Sequence, residues 1–308
     1  MNNFKKIGLT ALAGSLAVSS AVAGELSVSG AASLGLSNTS GTQTGKAWTM
    51  GNSVTFTGSG ELDNGLNIGI SFELDQGAAN NSANGFDSHS LSISSDGLGT
   101  LVFHGHGGGS AQGSIDTTAA GDLWNAGPGI TGISSAGAGN NMMVYTLPAI
   151  VDDLSISGSY APHATNDSHT SFALTYTGVE GLSVSYGQGD GGAPGAEYTA
   201  TTMSASYAVG SFTLKASNTD NDNAGSTSDR EVSSYGITYT VSDDLSIGYG
   251  METFDKEGST VDEEVRGFNV SYTTGGMTLG AALNEGEGIG NSASSEKDRW
   301  KLTASFAF

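Results

Sequence analysis

Residues 298–308 read DRWKLTASFAF, and this stretch decides the fold class. Its side chains alternate between apolar and polar, and the apolar set is Trp300, Leu302, Ala304, Phe306 and Phe308. Side chains of a strand point alternately to its two faces, so one face here is apolar and the other polar. Such a strand can separate lipid from water only if its backbone is hydrogen-bonded along both edges. The sequence stops on the aromatic residue Phe308. The stretch predicts the closing strand of a transmembrane β-barrel.

The first residues have the pattern of a secretory signal peptide. Lys5 and Lys6 precede an apolar run over residues 7–18, and small residues at 21 and 23 suit a cleavage site. We expect residues 1–23 to be removed on export through the periplasm, which leaves residues 24–308. No later window approaches the roughly 18 consecutive apolar residues of a transmembrane helix. Membrane insertion would therefore use strands.

The composition excludes several classes of protein. Charged residues make up 13% of the chain, about half the usual share, and the chain has 48 glycines and no cysteine. Cysteine chemistry, disulfides and thiolate metal sites are thereby excluded. Loss of Lys5 and Lys6 with the signal peptide changes the net charge from −21 to −23. So acidic a chain is a poor partner for nucleic acid, since phosphate binding needs clustered Lys and Arg.

Segments of alternating polarity recur along the whole of residues 24–308. The turn Asn64-Gly65, flanked by such segments, is a strong hairpin signal. The pattern predicts sixteen antiparallel strands, near residues 25–37, 52–62, 66–75, 88–96, 98–106, 140–148, 154–162, 169–178, 181–189, 198–208, 211–219, 231–241, 244–253, 264–274, 276–285 and 298–308. Tight turns alternate with longer polar loops, which is typical of outer-membrane barrels. A soluble β-sandwich or a secreted β-rich adhesin is the alternative, because its strands alternate too.

Three motifs carry a resemblance to a known family. They are residues 96–103 (DGLGTLVF) before the longest loop, residues 140–148 (NNMMVYTLP) after it, and residues 305–308 (SFAF). Together they resemble the Gram-negative general porins over essentially residues 24–308. The resemblance implies an all-β transmembrane antiparallel barrel of sixteen strands in the outer membrane, whose third loop, residues 107–139, folds inward as a constriction. It implies a homotrimer in contact with the lipid bilayer and lipopolysaccharide.

The resemblance also implies a function without catalysis. A general porin is a water-filled channel through which small hydrophilic solutes and ions diffuse, and it needs no cofactor. A solute-specific channel is the first alternative. An outer-membrane barrel enzyme, such as a phospholipase or protease, is a less favoured one, since those families use fewer strands and a site at the outer rim.

Candidate lumen residues come from the third loop and from the inward faces of the predicted strands. On the third loop they are Asp116, Asp122 and Trp124. The family opposes loop acids with a basic cluster on the facing wall, but the inward positions of the second to fourth strands hold Glu61 and Glu73 and no Lys or Arg. The remaining inward candidates are His104, His106, Lys215, Arg299 and Lys301.

The acidic residues predict cation selectivity. Many of them fall in predicted loops, which would rim the pore mouth: Asp220, Asp222, Asp229, Glu231, Asp255, Glu257, Asp262, Glu263, Glu264, Glu285 and Glu287. A negatively lined mouth concentrates cations and repels anions, within a Debye length of about 8 Å at physiological salt. The same acids could instead hold divalent ions that bridge lipopolysaccharide. Residues 220–231 half-resemble a calcium loop, so loosely bound Ca²⁺ is a further possibility.

Small residues on the outer face support the homotrimer. They are Gly30 and Ala32 on the first predicted strand, Gly58 and Gly60 on the second, and Ala304 on the last. Small side chains let backbones approach closely within lipid. We therefore expect this side of the barrel to form the contact between subunits.

Overall fold

The computed structural model describes residues 24–40, 45–75, 86–119, 131–137, 139–162, 168–224 and 229–308. The predicted signal peptide, residues 1–23, lies outside these ranges, and so do Asp122 and Trp124 of the third loop. Among the described residues, no helix is both long enough and apolar enough to cross a membrane.

In the described ranges the chain forms sixteen antiparallel strands and one 3₁₀ turn, η1, at Gln112–Ser114. The strands are β1 Glu25–Thr39, β2 Ala47–Glu61, β3 Asn67–Asp75, β4 Ser88–Ser95, β5 Gly99–His106, β6 Met142–Thr146, β7 Leu154–Ala161, β8 His169–Val179, β9 Leu182–Ala193, β10 Ala196–Val209, β11 Phe212–Asn223, β12 Arg230–Ser242, β13 Leu245–Lys256, β14 Glu263–Thr274, β15 Met277–Glu287 and β16 Lys297–Ala307. Each pairs with its neighbours in sequence, and β1 pairs with β16. The predicted closed sixteen-stranded barrel is confirmed.

Closure joins the two ends of the described chain. The β1–β16 register runs from Ala31 opposite Ala307 to Thr39 opposite Arg299. Phe308 extends the pairing, since its N–H donates to Gly30 O at 3.0 Å and its carbonyl accepts from Gly30 N at 2.7 Å. The terminal alternating stretch therefore has a hydrogen-bonded neighbour on each edge, β1 and β15.

The two faces of the wall differ as the alternation predicts. On β14, Phe268 is 61% exposed and Val270 and Tyr272 are exposed beside it, whereas Glu263 and Val265 on the other face are buried. The exposed apolar face is the outer one, where large side chains can meet lipid hydrocarbon. The other, mostly polar face lines the lumen.

Several strands are longer than predicted, and this moves the acidic residues. Asp220 and Asp222 lie on β11, Glu231 on β12, Asp255 on β13, Glu263 and Glu264 on β14, and Glu285 and Glu287 on β15. The prediction that they lie in loops was wrong for these eight, while Asp229, Glu257 and Asp262 do lie between strands. The polarity contrast that marks a strand disappears where both faces meet water, although the backbone ladder continues.

Seven of those eight acids face outward. Asp220 and Asp222 share a face of β11 with exposed Leu214, and Glu285 and Glu287 share a face of β15 with exposed Leu283. By the same alternation Glu231, Asp255 and Glu264 also point outward, and Glu263 alone points inward. Most of these acids therefore surround the barrel above its apolar band instead of lining its mouth.

Gly99 explains one of the motifs. It opens β5 with φ +76°, a left-handed conformation that costs other residues roughly 1–2 kcal/mol. A Cβ at this position would also collide with the backbone O of Thr146 and lie 2.7 Å from Pro148 N. The Gly-Thr of the first motif thus packs on the Thr-Leu-Pro of the second, which fixes β5 against the end of β6.

We expect Gly99→Ala to destabilise the barrel by at least about 1 kcal/mol, because it adds both a strained φ and a backbone collision. Gly97→Ala, in the same turn with open space around it, should stay within about 0.5 kcal/mol of the parent. Urea unfolding in lipid vesicles, followed by tryptophan fluorescence, measures both. Equal stability of the two variants would contradict this account of the motif.

Candidate pore-lining site

The side chain of Gln112 in the third loop bonds the wall at one end and the returning part of the loop at the other. It is fully buried; Nε2 donates to Thr202 Oγ1 of β10 at 2.6 Å, and Oε1 accepts from Ala136 N at 2.6 Å. Its backbone N donates to Ser171 Oγ of β8 at 3.1 Å. This one residue therefore joins the outgoing and returning parts of the loop to polar residues of two strands.

Further hydrogen bonds hold the loop on β11 and β14. Ala119 N donates to Ser217 Oγ at 2.9 Å, and that hydroxyl donates to Thr117 O at 3.1 Å. Thr131 donates twice to the Glu263 carboxylate, from N at 2.6 Å and from Oγ1 at 2.8 Å. A buried carboxylate that accepts two hydrogen bonds has much of its desolvation offset.

Apolar contacts accompany the polar ones. Ile133 of the loop packs against a buried cluster of Val232, Phe254 and Val265 on β12 to β14. Ile115 and Ala111 bury against Ala173 of β8. Large apolar side chains on the lumen face would be exposed to water without the loop above them, and their burial favours the docked conformation.

The predicted loop residues have different outcomes. Asp116 is exposed, and its Oδ1 accepts a hydrogen bond from Thr118 N at 3.0 Å, so it caps a local turn. Asp122 and Trp124 lie outside the described residues, and their role stays a prediction.

The predicted inward acids lie on the lumen side of β2 and β3. Glu61 is exposed at the end of β2 opposite Asn67. Glu73 accepts a hydrogen bond from Ser88 Oγ at 3.4 Å. Glu73 and Asp75 line a cavity of about 450 Å³ together with Ser33, Ser53, Thr278 and Ser305.

The two predicted histidines share the lumen face of β5. His106 Nδ1 is hydrogen-bonded to Asp87 O, while His104 lies against Gly108 at the start of the loop. Both rings therefore contact backbone near the end of β5 that leads into the third loop.

The three predicted inward cations lie together. Lys215 of β11 and Arg299 and Lys301 of β16 line one cavity of about 430 Å³, to which Ala119 of the loop also belongs. The inner wall thus carries two separate charged regions of opposite sign. One is formed by the carboxylates of β2 and β3, and the other by these three cations.

Sequence reasoning did not find the residues that hold the loop. Gln112, Thr202, Ser217 and Glu263 make these contacts, and none of them stands in a recognisable motif. The available signal was weak: a Gln amid Gly and Ser in a long loop, and hydroxyl or carboxylate side chains at inward positions of β10 to β14.

The ends of the half-matched calcium loop belong to two strands, β11 and β12, and loosely bound Ca²⁺ stays a prediction. Asp220 and Glu231 face each other as a cross-strand pair on β11 and β12, and the intervening residues 225–228 lie outside the described ranges. In the part of the chain that the structure describes, no group of three or more His, Asp or Glu is arranged to hold a metal ion.

Comparison with known proteins decides the family. The sequence matches the family model described as Gram-negative porin over residues 8–308. The chain belongs to this family. Such porins are channel proteins of the outer membrane and not enzymes, so the chain forms an outer-membrane diffusion channel. No curated protein sequence matches this porin.

Solved structures of two porins and another outer membrane protein share its fold at low sequence identity. The anion-selective porin from Comamonas acidovorans is 15% identical, with a TM-score of 0.70 and coverage of 92% of this chain and 100% of that one. A triple mutant of the Rhodopseudomonas blastica porin is 13% identical, with a TM-score of 0.68 and coverage of 92% and 100%. OmpT, an outer membrane protein of Vibrio cholerae, is 14% identical, with a TM-score of 0.68 and coverage of 93% and 98%.

We expect Gln112→Leu to loosen the loop of this porin, because Ala136 N loses its buried acceptor at a cost of roughly 1–3 kcal/mol. Hydrogen exchange of the Ala136 amide should accelerate roughly tenfold or more. Gln188→Leu is the matched control, since Gln188 Nε2 donates to Thr201 Oγ1 on neighbouring β10 and does not touch the described loop residues. Unchanged exchange at Ala136 would show that Gln112 does not hold the loop.

Proposed function

We propose that the barrel is a water-filled channel for passive diffusion of small hydrophilic solutes and ions, without a cofactor. The observation that carries the proposal is the polar lumen face, rich in Ser, Thr, Asn and Gly, along which the structure contains open cavities bordered by charged side chains. A polar lumen enclosed by a lipid-exposed apolar surface is the arrangement of an aqueous pore.

We propose further that residues 107–139 fold into this channel and narrow it. The hydrogen bonds of Gln112, Ala119 and Thr131 support the proposal, because their partners Thr202, Ser217 and Glu263 all stand on the polar face. A loop held on several strands at once is ordered enough to set the exclusion limit.

We propose a weak preference for cations. It is supported by the net charge of −23 and by Glu61, Glu73 and Asp75 on the lumen face of β2 and β3. The preference is weak for two reasons. The outward acids are separated from the lumen by the wall and screened over about 8 Å, and Lys215, Arg299 and Lys301 offset part of the inner negative charge.

Planar bilayers with the purified porin test channel formation and selectivity together. We expect stepwise conductance and, in a KCl gradient, a reversal potential of cation sign well below the Nernst value. The double variant Glu73→Gln with Asp75→Asn should move this potential toward anion preference. Glu285→Gln, which removes an outward charge, should leave it unchanged.

The possible outcomes separate the claims. No conductance would contradict the channel, whereas conductance with anion preference would contradict only the selectivity. An effect of Glu285→Gln as large as that of the inner variant would mean that outward acids control ion entry after all.

We propose that the porin assembles as a homotrimer through the face formed by β16, β1 and β2. Gly30, Ala32 and Gly58 are small residues on this outer face, where the Phe308 ring lies over Gly30. Leu26 and Trp48 nearby are 69% and 72% exposed. Small residues next to exposed apolar side chains suit close packing against another copy within lipid.

Cross-linking in mild detergent should capture trimers of the parent chain. Ala32→Trp adds a large side chain to this face of small residues and should yield monomers, whereas Val270→Trp, on the outer face of β14, should still give trimers. Monomers from the parent, or trimers from Ala32→Trp, would contradict this interface.

A further inference from the structure

The inner wall concentrates positive charge at one place. Residues 24–308 contain eight Lys and Arg residues, and three of them, Lys215, Arg299 and Lys301, line the cavity of about 430 Å³ described above. No Asp or Glu is among the described residues that line it. The chain has a net charge of −23, but this part of the lumen wall is positively charged.

The three cations border the cavity from two sides. Arg299 and Lys301 are alternate residues of β16, so both side chains point into the lumen next to each other. Lys215 stands on β11, and the strands β12 to β15 form the floor between. Within the described residues, neither Lys215 nor Lys301 forms an ion pair with a carboxylate.

The floor of this cavity contains three glycines on neighbouring parts of the wall. Gly236 of β12, Gly248 of β13 and Gly280 of β15 all line it. Glycine inside a strand costs roughly 0.5–1 kcal/mol relative to alanine. Glycine inside a strand marks a place where another group approaches the backbone closely.

Polar side chains around the glycines lie flat on the wall. A Cβ at Gly267 would be 2.5 Å from Asn284 Oδ1, and one at Gly248 would be 2.6 Å from Asn269 Oδ1. Thr303 covers Gly280 in the same way. The floor therefore presents amide and hydroxyl groups, which can replace water around the hydroxyls of a solute.

We propose that this cavity, the basic groove, is a binding site for sugars that carry a phosphate or carboxylate group. The anionic group is held by Arg299 and Lys301 with Lys215 opposite, and the hydroxylated body lies on the Gly, Asn and Thr floor. The proposal deepens the proposed function, on which it rests, by naming a solute class. The volume lies within the roughly 300–1,000 Å³ of small-molecule sites.

Binding must be weak to serve transport. A solute crosses a channel only if it binds strongly enough to enter and weakly enough to leave. The polar, open groove and the strong hydration of lysine ammonium groups meet this condition. We expect millimolar affinity that weakens between 50 mM and 500 mM salt, since the contacts are largely electrostatic.

The test uses glucose 6-phosphate as the probe, with glucuronate for the carboxylate and glucose for the neutral sugar. Saturation-transfer NMR on the detergent-solubilised porin measures binding directly, and block of the single-channel current measures it during transport. We expect both charged sugars, and not glucose, to bind saturably. The triple variant Lys215→Gln, Arg299→Gln and Lys301→Gln should weaken binding at least tenfold.

The control is Arg266→Gln, which removes the same kind of charge from the outer face of neighbouring β14, where Arg266 pairs with Glu264, Glu285 and Glu287. It should bind glucose 6-phosphate as the parent does. Equal affinity of the parent and the triple variant, or equal binding of glucose, overturns the basic groove, even when the channel conducts normally. Absence of conductance overturns the channel, while the NMR arm still decides whether the groove binds.

Discussion

Backbone hydrogen bonding around a closed ring is the constraint on which this molecule depends. Hydrocarbon offers no partner to an amide, so each strand needs a neighbour on both edges, and only closure of β1 on β16 provides the last one. Once the ring is closed, alternation divides every strand between lipid and lumen. The polar lumen, its charged regions and the position of the loop all follow from that division.

The strand pattern could be predicted because it is local and periodic. The order, number and faces of the strands were recoverable, and so were the inward positions of Lys215, Arg299 and Lys301. The upper ends of the strands were not, because the polarity contrast vanishes where both faces are in water. That single loss placed Glu285 and Glu287 in a loop at the pore mouth, whereas they stand on the outer face of β15.

The loop contacts could not be predicted for a different reason. Gln112 meets Thr202, and Thr131 meets Glu263, across sequence separations of 90 and 132 residues. No period or motif links such positions, because the contacts depend on how the barrel brings distant strands under one segment. Motif residues such as Gly99 are different. The sequence alone showed that they resemble a family motif, but only the backbone conformation explains why position 99 requires glycine.

The loop is tied to one side of the ring. Its described hydrogen bonds and apolar contacts lie on β8 to β14. Ala119 also lines the cavity of Lys215, Arg299 and Lys301. In the proposed channel the open part of the lumen would then lie toward β1 to β3, near the strands where the barrel closes. A permeating molecule would pass between carboxylates on β3 and cations on β16. The electric field between these two charged regions would orient a dipolar solute before the width of the channel limits its passage.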